Sequence, residues 1–261
     1  ELRDIGADNF IQQQLHPELI DDSLFEQYLS DLLLTSPSSY RKLHDTQIAR
    51  AISSKRQLLE IMTQFWESHF NTDLKKVNNV SHEELEHELF RQNALGNFRD
   101  LLQISATSPA MLKYLDNIES YKDEPNENYA RELMELHTLG VDNNYTSKDI
   151  AEVARVFTGW GINGGAFYFA ESHHDNNEKT VLGTVIHAGS GISGGELVLD
   201  LLAQHNATAN FICTKLLKTF VSDHPKNNAI AQCASDYLTN INEDDQIALI
   251  LEGIFKSNSF S

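Results

Sequence analysis

The chain has 261 residues, 41% of them hydrophobic and 22% charged, which is the composition of an ordinary globular protein with enough chain to bury a sizeable core. Twenty Lys and Arg against 38 Asp and Glu leave a net charge of −18; with no basic cluster anywhere, this excludes a phosphate-tracking nucleic-acid binder and a binder of anionic membrane surfaces. The longest apolar run, 247–255, is interrupted by Glu252 and falls far short of the ~20 residues a membrane span needs.

In chain order, Phe10, Ile11 and Leu15 open a short helix closed by Pro17, and a second helix covers 21–34. In the segment 55–70, Leu58, Met62, Phe65 and His69 form one helical stripe flanked by Leu59, Trp66 and Phe70. Ser81 and Glu84 have the spacing of a capping box for a helix over 83–91. Helices over 97–107 and 110–115 are separated by Ser108-Pro109. Asn126 caps a helix running to about 139, with Gly140 at its end, and Thr146 with Asp149 starts another that runs through Phe157. Between 164 and 188 the pattern changes to β-like runs at 167–169 and 180–186, joined by the polar loop 171–179, which predicts one hairpin. Helical spacing returns at 195–203, 207–220, 227–239 and 244–255. No repeat or long linker divides the chain, so the expected fold class is mainly α: one multi-helix globular domain over 1–261 with one inserted β-hairpin and an irregular region at about 161–195.

Cys213 and Cys233 are too few for a disulfide scaffold or a zinc site. Two buried thiols are the favoured reading, and a single bridge between neighbouring helices is the alternative in an oxidising compartment. The segment Gly189-Ser-Gly191-Ile-Ser-Gly194 fits a dinucleotide fingerprint in letters only; without a βαβ unit it reads as a strand-to-helix connection.

The strings "ALGNFRDLL", "SPAMLKYLDN", "NENYARELMELHTLGV", "YTSKDIAEVARVFTGW" and "HDNNEKTVLG", with "RQLLEIMTQFWESHFNT" upstream and "HNATANFICTKLLKTFVSD" downstream, span nearly the whole chain. Together they resemble the large bacterial family catalogued as domain of unknown function 1800. The resemblance implies an exported protein, periplasmic or extracellular, with a sulfatase-like protein as partner. It also implies a longer relative than this chain, with N- and C-terminal parts beyond it, and any signal peptide would lie upstream of Glu1.

The densest polar constellation lies on the helix that Asn126 caps. Asn128, Arg131, Glu132 and Glu135 recur three or four apart on one face, where two carboxylates can be split into an acid and a base by a cation, or share a metal. Arg131 can hold an anionic or hydroxylated substrate; a solvated helix face is the plain alternative. His69 ends the apolar stripe, so its ring nitrogens need buried partners or a metal. His137 falls on the side of Ala130 and Met134 and is expected in the core rather than with Glu132 and Glu135. His173-His174-Asp175 lies in the hairpin loop, where His174 and Asp175 have metal-ligand chemistry.

Two functions follow. The first is an exported enzyme that works from the Asn128, Arg131, Glu132 and Glu135 face on an extracellular polymer, with His69, His174 and Asp175 as candidate ligands of a divalent metal. The second is a non-catalytic binding or assembly module, in which Glu132 and Glu135 are ion-paired with no cavity beside them. Whatever the chemistry, Glu132 and Arg131 are both expected to bond to side chains distant in sequence, and a composite site further predicts that the His174–Asp175 loop lies over or beside the N-terminal half of their helix.

Overall fold

The computed structural model describes residues 2–34, 39–141, 143, 145–257 and 260. The N-terminal helices are α1 (Leu2–Ile5), α2 (Ala7–Leu15), α3 (Ser23–Leu34) and α4 (Tyr40–Ser53). They lead into α5 (Gln57–His69), α6 (Leu74–Val77), α7 (Val80–Asn93), α8 (Phe98–Thr107) and α9 (Pro109–Tyr114). Helix α10 (Glu127–Glu132) continues as a π-helical segment, Leu133–Thr138, and α11 (Ser147–Val156) follows. After four short strands come α12 (Ile192–Ala203), α13 (Asn206–Phe220), α14 (Asn227–Thr239) and α15 (Gln246–Phe255). The fold is mainly α, and its apolar core is contiguous from Leu15 in α2 to Ile254 in α15.

Local chemistry accounts for several helix ends. Ser108 accepts from the amides of Ala110 and Met111 with Pro109 in the first helical position, and Thr146 with Asp149 forms a reciprocal capping box. Gly140, at φ +89°, supplies the left-handed residue after the π segment. Part of the 140–145 connection lies outside the described residues. The expected box at Ser81 and Glu84 is not used. Asn79, in extended conformation, accepts from the His82 amide, and α7 therefore begins at Val80. An Asn cap serves as well as Ser and lies nearer the preceding left-handed turn at Asn78.

Among the described residues the irregular region holds two hairpins, not one. β1 (Trp160–Asn163) pairs with β2 (Ala166–Phe169), and β3 (Lys179–Val181) pairs with β4 (Thr184–Ile186), both antiparallel. Each has its own two-residue turn with positive φ at both centres: Gly164 and Gly165 at +60° and +85°, Leu182 and Gly183 at +49° and +79°. That geometry matches the right-handed twist of paired strands, so each β-like run closes on its nearest neighbour and the 171–179 loop joins two hairpins. Leucine resists a positive φ; the Leu182 amide is held there by a 2.8 Å bond to Asp149 Oδ1. Trp160, fully buried at the start of β1, presses so closely on Gly195 of α12 that a Cβ there would lie 2.3 Å from the indole.

Cys213 and Cys233 are bridged, joining α13 to α14, which corrects the reading of two free thiols. Each cysteine faces inward from an amphipathic helix, and once α13 and α14 pack antiparallel the Cα atoms stand 5.7 Å apart, within bridging range.

Candidate functional site

The two sides of the α10–π element have different fates. On the outer side, Arg131 reaches Glu127 Oε2 at 3.0 Å and Glu135 Oε1 at 3.4 Å, both one turn away on its own element, with its side chain 44% exposed. Asn128 lies within 3.4 Å of Asp116. The expectation of distant partners for Arg131 and Glu132 is therefore not met: Arg131 is satisfied locally because i,i+4 carboxylates flank it on both sides, and Glu132 makes no ion pair among the described residues.

Glu132 instead lines a cavity of about 300 Å³ between α5, the π segment and α13, together with His69, His137, Lys215, Tyr114, Leu136, Phe211, Ser68 and Asn71. The π turn explains the company. Five residues along an α-helix put two side chains about 140° apart, so Glu132 and His137 could not share a cavity on a regular helix. The π segment, whose widened turn is seen in the Leu139 amide bonding back to the Met134 carbonyl, removes that divergence. His137 is in the core, as its spacing implies, and also reaches the cavity beside Glu132.

His69 is 4% exposed and doubly engaged: Nε2 donates to the His137 carbonyl at 2.9 Å, and Nδ1 accepts from Lys215 Nζ at 2.8 Å. Burial, with the Lys215 charge second, holds the His69 imidazole well below its ordinary range, so it is neutral. His137 is pushed down to about 3 by burial and then by Lys215, and its Nδ1 is buried without a hydrogen-bond partner. Burial lowers Lys215 as well; among the described residues no carboxylate pairs with it, and its ammonium lies 5.2 Å from the Phe211 ring centroid. Glu132 moves the other way: burial and then Glu135 raise it, against the pull of Arg131. The cavity therefore holds a carboxyl disposed to keep its proton and an amine disposed to lose one. Lys215 escaped the reading of the sequence. Its one signal is a lysine four residues after Phe211 on a helix otherwise rich in inward-facing Ile212, Cys213, Leu216 and Leu217.

The hairpin-loop residues are engaged by other partners. His174 Nδ1 donates to the Thr158 carbonyl at 2.8 Å and its ring packs on Phe169. Asp175 Oδ2 takes the Arg155 guanidinium at 2.7 Å, Oδ1 takes the Asn177 amide, and its carboxyl is drawn down to about 2 by that Arg against the cost of burial. The loop touches the approach to α10 through His173, whose carbonyl accepts from the Lys122 amide and whose ring meets Tyr121. Among the described residues no hydrogen bond or ion pair joins His174 or Asp175 to Asn128, Arg131 or Glu132, and both nitrogens of His69 are occupied. Among the described residues, no group of three or more His, Cys, Asp and Glu is arranged to hold a metal ion. The candidate ligands His69, His174 and Asp175 are thus not brought together as a metal site.

A second cavity, of about 310 Å³, shares the Ser68 and Asn71 wall and lies against α7. Its lining includes Glu67, Glu83, Glu86, His44 and His87. No helix is long and apolar enough to cross a membrane, among the described residues.

No curated protein and no solved structure is detectably similar to the chain. The strings that carry the resemblance do supply the cavity walls: α5 contributes His69, α10 and the π segment contribute Glu132 and His137, and α13 contributes Lys215. From residue 1 to residue 261 the sequence is matched by the model of a family described as protein of unknown function (DUF1800), and the chain belongs to that family.

Proposed function

We propose that the chain is an exported enzyme that performs acid–base chemistry on an extracellular polymer in the cavity lined by Glu132, His69 and Lys215. One observation carries this reading: a buried-leaning carboxyl and a desolvated lysine, neither ion-paired, converge on one cavity with a neutral imidazole between helices. In a hydrolytic step, Lys215 in its amine form takes the proton of an attacking water, the new bond forms from that water oxygen, and Glu132 gives its proton to the departing group. His69 positions the lysine by accepting its hydrogen bond. The Cys213–Cys233 bridge supports export, since such bonds persist in oxidising compartments. The polymer, and a sulfatase-like partner, rest on the family resemblance.

The test is release of new chain ends from a panel of sulfated and unsulfated polysaccharides by the parent, Lys215→Met and Glu132→Gln. The expected result is at least a hundredfold loss in each variant with an unchanged circular dichroism spectrum, and a bell-shaped pH profile in the parent whose limbs are removed one by one. Equal turnover by parent and variants would reject the assignment. The exposed Arg131 pairs and the Asn128 contact favour a second, non-catalytic role for the outer face, as a rim on which a partner protein docks.

A further inference from the structure

The cavity against α7 is unlike its neighbour in charge. Among the described residues three carboxyl side chains line it, Glu67, Glu83 and Glu86, and no lysine or arginine does. Glu67 is satisfied by Gln47 and His87, at 2.9 and 2.8 Å. Glu83 and Glu86 are not. They are 8% and 6% exposed, neither has an ion pair, and each has one carboxyl oxygen that is buried with no hydrogen-bond partner. Their other oxygens converge on one hydroxyl, Thr72 Oγ1, at 3.1 and 3.3 Å. A hydroxyl has a single proton to donate, so it cannot serve both. Ser108 Oγ accepts from two amides as the cap of α9 and keeps its own proton to moderate the Glu86 carboxyl, yet Glu86 Oε1 is left without a hydrogen bond. Arg50 and Arg91, on or packed against the same helix, are spent on Glu26, Glu60 and Glu88. Two buried acids on one helix face thus lack donors beside an open volume, a costly arrangement unless something brings donors to it.

We infer that this cavity is a binding site for a primary ammonium group, whose three N–H donors make up the deficit at Glu83 and Glu86. An ammonium suits the site better than a metal ion, because no three acidic or imidazole groups among the described residues are set for coordination, whereas hydrogen-bond donors are what the two carboxyls lack. The apolar walls, Leu43, Leu74 and Tyr40, accommodate a short carbon chain behind the amine. The site is independent of the chemistry next door; a protein inactive through Lys215→Met keeps it.

The test is titration of ¹⁵N-labelled protein with 1-butylamine at 0.15 M salt, with 1-butanol and MgCl2 as separate arms, followed by amide shifts. Saturable shifts centred on Thr72 and residues 83–87 with the amine, at least tenfold weaker with the alcohol and in Glu86→Gln and Glu83→Gln, support the site. Three outcomes overturn it: equal effects of amine and alcohol, shifts spread without saturation over the acidic surface, or saturation by Mg²⁺ that displaces the amine. Since the Gln variants keep shape and remove an unpaired acid, they are expected to fold.

Discussion

One helix, α7, treats buried charge in two ways within three turns. Toward its C-terminal end, Arg91 clasps Glu60 at 2.6 Å and Glu26 at 3.1 Å, while His87 meets Glu67 and Arg50 meets Glu88. Toward its N-terminal end, Glu83 and Glu86 face a cavity without a cation. Pairing of the first kind is what a fold uses to bring charge indoors without disruption. A buried carboxyl of the second kind carries a cost whenever it ionises and marks where the molecule awaits something from outside. The same contrast separates Arg131, balanced by its own helix, from Lys215 and Glu132, which share a cavity and no ion pair.

The sharpest way to break the comparison is Arg91→Ala. Removing the partner of Glu60, whose side chain is 5% exposed, should cost about 3–5 kcal/mol in a urea titration. A loss below about 1 kcal/mol would make the paired end of α7 no different from an exposed surface. Next comes the bridge that fixes α13, which carries Lys215 two residues after Cys213. Replacing both cysteines by serine should cost about 3 kcal/mol for their separation of 20 residues and weaken the Lys215–His69 contact, seen as a shifted His69 imidazole resonance.

Glu86→Gln should act in the opposite sense. Burial, joined by Glu83 and Glu67, raises the Glu86 carboxyl from 4.5 to about 8 in the folded protein. Between those values the folded chain binds more protons than the unfolded one, so this group's stabilisation is complete below pH 4.5 and is lost as pH rises to about 8. The Gln variant should match the parent at pH 4 and exceed it at pH 8 by about 1–3 kcal/mol, the cost of a buried group without partners. A parent with no such slope would remove the unpaired acid from the comparison. The smallest effect is expected at Arg131→Ala, a change under about 1 kcal/mol that shrinks further with salt.

Period and punctuation made most helices legible in advance: the Leu58, Met62 and His69 stripe, the Ser108-Pro109 start and the Thr146–Asp149 box all stand where their chemistry requires. The hairpins were half visible, because Asn163-Gly-Gly and Leu182-Gly each close a tight turn that a run-by-run reading merged into one. Glu132 and His69 were legible as candidates, but their meeting with His137 was not, since a period of 3.6 cannot foresee a π turn. Lys215, Glu83 and Glu86 were invisible for a different reason: whether a charged side chain finds a partner depends on helices far apart in the chain, and spacing within one helix is silent about that.

The contact of Trp160 with Gly195 offers a route from the test tube to the living cell. A methyl at residue 195 has no room, so Gly195→Ala forces the indole and the β1 hairpin to shift, an overpacking cost of about 1–3 kcal/mol at a contact that lines neither cavity. A loss of that size leaves a chain folded in the cold and failing in the warm. It would furnish a conditional allele, with which the source organism could be deprived of this protein by a change of temperature alone and asked what it can no longer do.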